Sequence, residues 1–254
     1  AQSISAWGGE DDETPVYGIV KIAIKAASGT TITNATKTDI ITKLKPYNVA
    51  SVRPEIVDPE TTSLVLTINA KYDKKSTSKT ADTLKSEITT AISNYNTDTL
   101  SQFDGVFRFS KVTGLIDDVD NSILSNITTL KMRKEFTPTI ASSTKYDIYF
   151  RNAIYNPHSG HESVVDSTGF KVAGNTNEMF LDDDGQGNVR RYRLDGAVRS
   201  YANSTQGTIN YSSGLVEINS LNVSNIENIR GAASTVIEVT VKPDSNDIVP
   251  IRNQ

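Results

Sequence analysis

The chain has 254 residues, no cysteine, two histidines and a formal net charge of −4. That length holds one large or two ordinary domains, able to bury a core without disulfides. The acidic balance argues against a dedicated nucleic-acid binder, whose surface is basic, and no apolar run approaches the roughly 18 residues of a membrane span.

No signal-peptide pattern opens the chain, and absent cysteine suits a reducing cytoplasm or an assembly indifferent to oxidation. Ala1 stands where an initiator Met would, so the chain is expected to be a piece of a longer one. Residues 1–14 read as an N-terminal extension that includes the acidic run Glu10 to Glu13. Tyr17 to Lys25 (YGIVKIAIK) reads as a strand with Val20, Ile22 and Ile24 on one face. Thr36 to Lys45 reads as a helix with Ile40, Ile41 and Leu44 as its buried stripe, closed by Pro46. In the strand expected over Val49 to Val57, Pro54 cannot donate a ladder hydrogen bond, which predicts an edge or bulged strand.

Asp58-Pro59 turns the chain into Leu64 to Tyr72, where Leu64, Leu66, Ile68, Ala70 and Tyr72 alternate with the residues between them, as in a half-buried antiparallel strand. Leu84, Ile88, Ala91, Ile92 and Tyr95 then recur at helical spacing, predicting a helix from about Lys79 to Tyr95. Thr99 and Gln102 form a T-x-x-Q capping box, predicting a further helix with Leu100, Phe103 and Phe107 inward, ended by Gly114 as a left-handed cap. A strand over Ile123 to Arg133 completes a βαββαβ order. The fold class expected is therefore α+β, with a ferredoxin-like sandwich over residues 15–137 and a mostly antiparallel β domain over 138–254. In the latter, Tyr146 to Ile154 alternates, Glu178 to Asp182 pairs with Val189 to Leu194, Gly207 to Tyr211 pairs with Leu215 to Ile218 across Ser212-Ser213-Gly214, and Val236 to Lys242 is a last strand. Short strands with frequent turns point to a small sandwich or barrel.

Chemistry-bearing patterns are few. His158-Ser159-Gly160-His161-Glu162 could supply zinc ligands, yet it follows Asn156-Pro157, contains Gly160 and matches no helical zinc motif, so an exposed turn is favoured. Asp182-Asp183-Asp184-Gly185-Gln186-Gly187-Asn188 opens like a calcium loop, with a glycine at the sixth place, but Arg193 stands where the bidentate Glu is required. A turn explains the same residues, leaving at most a weak calcium contact. Arg190, Arg191, Arg193 and Arg199 form the dense basic cluster, read as a solvated hairpin face or a surface that meets an acidic neighbour. The acidic run Glu10 to Glu13 could be that neighbour in another subunit. No G-x-S-x-G elbow, phosphate loop or paired carboxylates argue for catalysis, so neither an enzyme nor a cofactor is expected.

Trp7-Gly18 (WGGEDDETPVYG), Glu55–Asp73 (EIVDPETTSLVLTINAKYD), the amphipathic helix from Lys79 and Phe103–Ile123 (FDGVFRFSKVTGLIDDVDNSI) taken in order resemble the baseplate wedge proteins of T4-like contractile-tailed phages, within the baseplate J-like group. The resemblance spans most of the chain and is firmest from Trp7 to Ile123. It implies the C-terminal part of a wedge protein in the virion tail baseplate, assembled in the host cytoplasm. It also implies that two copies per wedge pair with each other, six wedges closing an inner ring around the hub, that other wedge proteins are bound through the N-terminal part of the longer protein, and that there is no nucleic-acid or membrane partner. The alternative is a carbohydrate- or receptor-binding accessory module of a phage tail. Interface residues are the sites expected: Trp7 and Tyr17 as aromatic anchors, the hairpin tips around Asp183 and Ser213, and Arg191 in the basic cluster.

Overall fold

The computed structural model describes residues 1–12, 15–26, 31–48 and 52–250. The chain is mixed and mostly β, with several antiparallel sheets. Packing separates two compact units, Ala1–Thr61 with Asn69–Ile127 and Asp247–Gln254, and Thr62–Ile68 with Thr128–Asn246. Of the residues with sequence-based expectations, Glu13 and the first part of the Val49 to Val57 strand lie outside the described ones.

In the first unit β1 (Ser3–Gly8) pairs antiparallel with β2 (Ile19–Lys25), from Ser3↔Lys25 to Gly8↔Val20. Trp7, expected outside any strand, is therefore a strand residue. β3 (Arg53–Val57) runs parallel to β2, with Ile22 opposite Ile56, and α1 (Asn34–Leu44) lies between them in sequence, as parallel strands require a crossover. Thr33 caps α1 by accepting from the Thr36 amide at 3.3 Å. Pro54 stands on β3, which ends the sheet order β1-β2-β3, so its missing N–H falls where the sequence places it, on an edge strand. None of the α1 residues is buried.

α2 (Ala81–Tyr95) is capped by Thr80 and buries Leu84, Ile88 and Tyr95, the stripe read from the sequence. It widens into one π-helical turn over Asn96–Leu100, and the next helix, α3 (Phe109–Asp117), starts only nine residues on. The Thr99–Gln102 capping box is thus a false signal: Thr99 lies in the π turn, and Gly114, the expected cap, lies inside α3. The orphan amide of Phe109 is instead taken by the Asp247 carboxylate at 2.9 Å, which also meets Arg108 at 3.0 Å. A cap brought from 138 positions away leaves no local pattern. Tyr95, Phe103, Phe107, Val112 and Ile116 form the core of this unit, with the Tyr95 and Phe107 rings edge to face at 6.4 Å.

At the start of α2 the Lys79 ammonium bridges Glu87 at 2.8 Å and Asp120 at 2.9 Å. Lys79 first, and Ser122 after it, hold the Asp120 carboxyl down from its ordinary 3.8 to about 2. A depressed carboxylate contributes stability that is present above its unfolded value and is lost as pH falls through the folded one. Asp120→Asn is therefore expected to flatten the fall in melting temperature between the ordinary 3.8 and about 2, while leaving the curve near neutrality almost unchanged. An acid limb identical to that of the wild type would contradict this.

In the second unit, residues from β4 (Ser63–Tyr72) and β5 (Ile123–Phe136) join β13 (Ile237–Val241) and β7 (Val165–Ser167) in the order β4-β5-β13-β7. β13 runs antiparallel to both neighbours, with Val239 opposite Lys134 on one side and Ser167 on the other. The other sheet runs β6 (Ser143–Tyr149), β12 (Leu215–Ile226), β11 (Val198–Asn210), β10 (Asn188–Asp195) and β9 (Phe180–Asp183). β8 (Phe170–Val172) pairs with the far half of β12. A register shift between Ile218 and Leu221, with Ser220 at φ +49°, bends β12 between its partners. Both hairpins read from the sequence are present, with Arg190 opposite Asp182 and Gly207 opposite Ile218. Gly207 is needed there because a Cβ would collide with the Glu217 carbonyl oxygen.

The single four-stranded sheet of a ferredoxin-like domain is not the arrangement observed. Its expected strands divide between two sheets, β2 and β3 pairing parallel beside β1, and β4 and β5 extending through β13 to β7. Alternation identifies a strand and its buried face but not its partner. β5 is completed by β13, about a hundred residues later in the chain.

Candidate assembly surface

Asp182 and Asp183 are consecutive on β9, so their side chains leave opposite faces of the sheet, and both are fully buried. Asp183 turns toward the segment that precedes β7. Its Oδ1 accepts from the amides of Val164 at 2.7 Å and Val165 at 2.9 Å and from Ser163 Oγ at 2.9 Å. Its Oδ2 accepts from Tyr211 Oη at 2.7 Å and the Gly185 amide at 3.3 Å. Burial, then the adjacent Asp183 carboxylate, push the Tyr211 phenol upward, keeping it a donor.

Asp182 faces the other way. Arg190 clasps it with Nε at 2.9 Å and Nη2 at 3.1 Å, Arg199 donates at 2.6 Å and Tyr201 Oη at 3.0 Å. The guanidiniums also cover rings, Arg190 over Tyr201 at 4.2 Å and Arg199 over Tyr192 at 4.7 Å, and Tyr192 stacks on Phe180. Asp184 is held by the amides of Gln186 and Asn188 and the Asn188 side chain. Burial opposes its charge, but these donors win and its pKa is lowered.

The turn expected over Asp182–Asn188 is what these residues build. The three carboxylates serve protein donors, and the first two point to opposite sides of a sheet. The histidine loop is likewise turned to internal use. His161 is buried, with Nδ1 3.1 Å from the His158 carbonyl oxygen, and its ring packs edge-on against Tyr211.

The expected basic cluster is mostly neutralised in place. Arg190 and Arg199 share Asp182, and Arg193 lies 3.1 Å from Asp195. Arg191 differs. It is half-buried on β10, opposite Leu181 of β9 and Asn203 of β11. Its Nε is buried without a hydrogen bond, it has no ion pair among the described residues, and burial pulls its pKa below the usual arginine range.

β10 and β11 continue beyond the sheet that supports them. β9 pairs with β10 only as far as Tyr192, and β12 meets β11 only from Gly207. Between these limits Arg193–Asp195 faces Val198–Ser200 across the Gly196-Ala197 turn as a two-stranded ribbon, with no third strand among the described residues. Leu194 is 50% exposed, Val198 69% and Tyr201 44%. A two-stranded ribbon is marginal on its own, so the Asp182 knot at its base is what braces it. By register Val198 lies on the Asp195 face of this ribbon, and Leu194 and Tyr201 lie on the other.

Of the residues named from sequence, Asp183 is not a surface contact, since its carboxylate is wholly enclosed. Ser213 is exposed in the β11–β12 turn, its amide donating to Asn210 Oδ1 at 3.1 Å. Tyr17 is 81% exposed. Trp7 is half-buried, its Nε1 donating to Asp12 Oδ1 at 2.9 Å, and Asp12 is paired in turn with Lys21. Arg191 and Asp183 share one sheet. Leu194, Val198 and Tyr201 had no place among the sequence candidates, although Gly196, in left-handed backbone at φ +66° in the Gly196-Ala197 turn, is the local signal that points to their ribbon.

Residues 1–57 match the family described as baseplate structural protein gp6, C-terminal domain I, and residues 63–135 match baseplate structural protein gp6, C-terminal domain III. A curated relative, the baseplate wedge protein gp6 of Enterobacteria phage T4, is 27% identical over 169 residues, covering 63% of this chain and 25% of the relative. The chain thus spans about a quarter of the length of the relative it matches. With two gp6 C-terminal domains in order along its first half and a gp6 relative across most of its length, the chain belongs to the gp6-like baseplate wedge proteins, as a C-terminal part.

Proposed function

We propose that this chain is a structural part of the baseplate wedge of a contractile phage tail, located in the virion tail baseplate. The observation that carries this reading is the succession of two gp6 C-terminal domains over residues 1–57 and 63–135, in chain order. Its partners are other wedge proteins and further copies of itself, which build the inner ring around the hub. The role is structural and not catalytic, and the side chains fit it. The acidic residues of the β-rich unit are spent on holding loops and strands together, as at Asp182 and Asp183. The projecting ribbon and the exposed Tyr17 offer aromatic and aliphatic groups of the kind that anchor interfaces.

Antibody raised against this chain, applied to intact virions of the phage that encodes it, tests the location. Label confined to the baseplate end of the tail is the expected result. Label on the capsid, or a protein absent from purified particles, would overturn the reading.

A further inference from the structure

We propose that the β-rich unit carries a binding site for a neutral saccharide, in the cleft where residues 156–160, the Gly185–Gly187 turn and the β11–β12 turn meet. All three segments belong to the second unit, and the turns close the same end of its larger sheet. The site stands apart from the structural role put forward above.

The cleft encloses about 460 Å³, within the range of small-ligand sites, roughly 300–1,000 Å³. Main-chain hydrogen bonds fix its walls to one another. The Gly160 amide donates to the Gly185 carbonyl oxygen at 2.8 Å, the Ile209 amide to that of Gly187 at 2.9 Å, and the Ile154 amide to that of Tyr211 at 2.7 Å. A Cβ at Gly185 would strike the His161 backbone, so two of the walls meet as closely as glycine permits. The site is thus formed in advance, and a ligand is spared the cost of ordering its loops.

The lining selects the ligand. Asn156, Ser159, Gln186, Asn210 and Ser212 present amides and hydroxyls, Tyr211 adds a ring, and no charged side chain takes part among the described residues. The side chains of Asn156, Ser159 and Gln186 are exposed and make no hydrogen bond among the described residues. Asn210 Oδ1 accepts from Ser212 Oγ at 2.8 Å and from the Ser213 amide at 3.1 Å, which fixes the side chain and leaves its NH2 to donate. Amides and hydroxyls both donate and accept, and so do the hydroxyls of a sugar, whereas an anion would find no cation here. Tyr211 commits its hydroxyl to Asp183 at 2.7 Å. What it gives the cleft is therefore its ring, an apolar surface for the C–H groups of a pyranose.

Titration of the whole chain with glucose, galactose, N-acetylglucosamine, maltotriose and chitotriose, followed by backbone amide shifts, tests this. At least one of these sugars is expected to bind with a Kd on the order of 1–10 mM and to move the amides of Gly185–Gly187 and Tyr211–Gly214. Asn156→Ala with Gln186→Ala is expected to weaken that binding at least about tenfold. The melting temperature should not change, because neither side chain holds the fold. A trisaccharide that binds at least about tenfold more tightly than its monosaccharide supports the site and assigns it a glycan chain, and equal affinity supports it with a free sugar as the occupant. No shift with any of these sugars at about 100 mM, shifts confined to residues outside the cleft, or undiminished binding by the double variant would each overturn the proposal.

Discussion

Asp183→Ala is expected to lower stability by about 3–5 kcal/mol, among the largest losses available to a single substitution in this chain. The Asp183 side chain is fully buried and accepts from the amides of Val164, Val165 and Gly185 and the hydroxyls of Ser163 and Tyr211. Alanine removes the acceptors and leaves those donors inside, too enclosed for water to replace the carboxylate fully. An unsatisfied buried donor costs about 1–3 kcal/mol, and several cannot all relax at once. Asp183→Asn is a more informative partner variant. Its carbonyl oxygen can still serve the Val164 and Val165 amides, whereas its NH2 meets Tyr211 and Gly185, which both donated before. About half of the loss should therefore be recovered. Denaturant unfolding measures both, and a loss below about 1 kcal/mol for the alanine variant would refute the view that this carboxylate organises the segment before β7.

Asp182→Ala is expected to cost about 2–4 kcal/mol, somewhat less, because Arg190 and Arg199 keep partial access to water when their shared carboxylate goes. The side chains of Arg190 and Arg199 are 22% and 39% exposed, against 0% for Asp182. The more telling effect is local. Asp182 ties Arg190 of β10 to Arg199 and Tyr201 of β11 at the point where the ribbon leaves its sheet. Without it, amide exchange in Val198–Asn203 is expected to quicken more than exchange in β12. Arg193→Ala, which removes only an exposed pair with Asp195, should shift stability by no more than about 0.5 kcal/mol. Equal exchange rates along β11 and β12 in Asp182→Ala would count against a bracing role.

What the sequence discloses about this fold follows the range of the forces involved. Local periodicity locates the α2 stripe of Leu84, Ile88 and Tyr95, the β4 alternation and the hairpins around Gly185 and Ser213, because each is a short-range pattern on one element. Pro54 even declares its strand an edge, since its missing N–H is a local property with a sheet-level consequence. Pairings made across long stretches of chain stay hidden. β13 completes β5 from about a hundred residues away, and Asp247 caps α3, so neither the division into separate sheets nor the true helix start leaves a nearby signature.

The candidate surface was legible in the same uneven way. Asp182–Asp184 reads as a turn with at most a weak calcium contact, and composition does not reveal that the consecutive Asp182 and Asp183 face opposite sides of a strand, each toward its own protein donors. The basic cluster was visible as four arginines. Which of them lacks a partner depends on where Asp182 and Asp195 come to rest. Arg191 was among the residues expected at an interface, but its distinction from Arg190 is a matter of packing and could not be read from sequence.

The account turns on whether this chain associates with itself, and sedimentation velocity over a wide concentration range measures that most directly. Reversible formation of dimers or larger species, indifferent to EDTA and weakened by salt, is the result it predicts. A single monomeric boundary at every concentration and salt would contradict it.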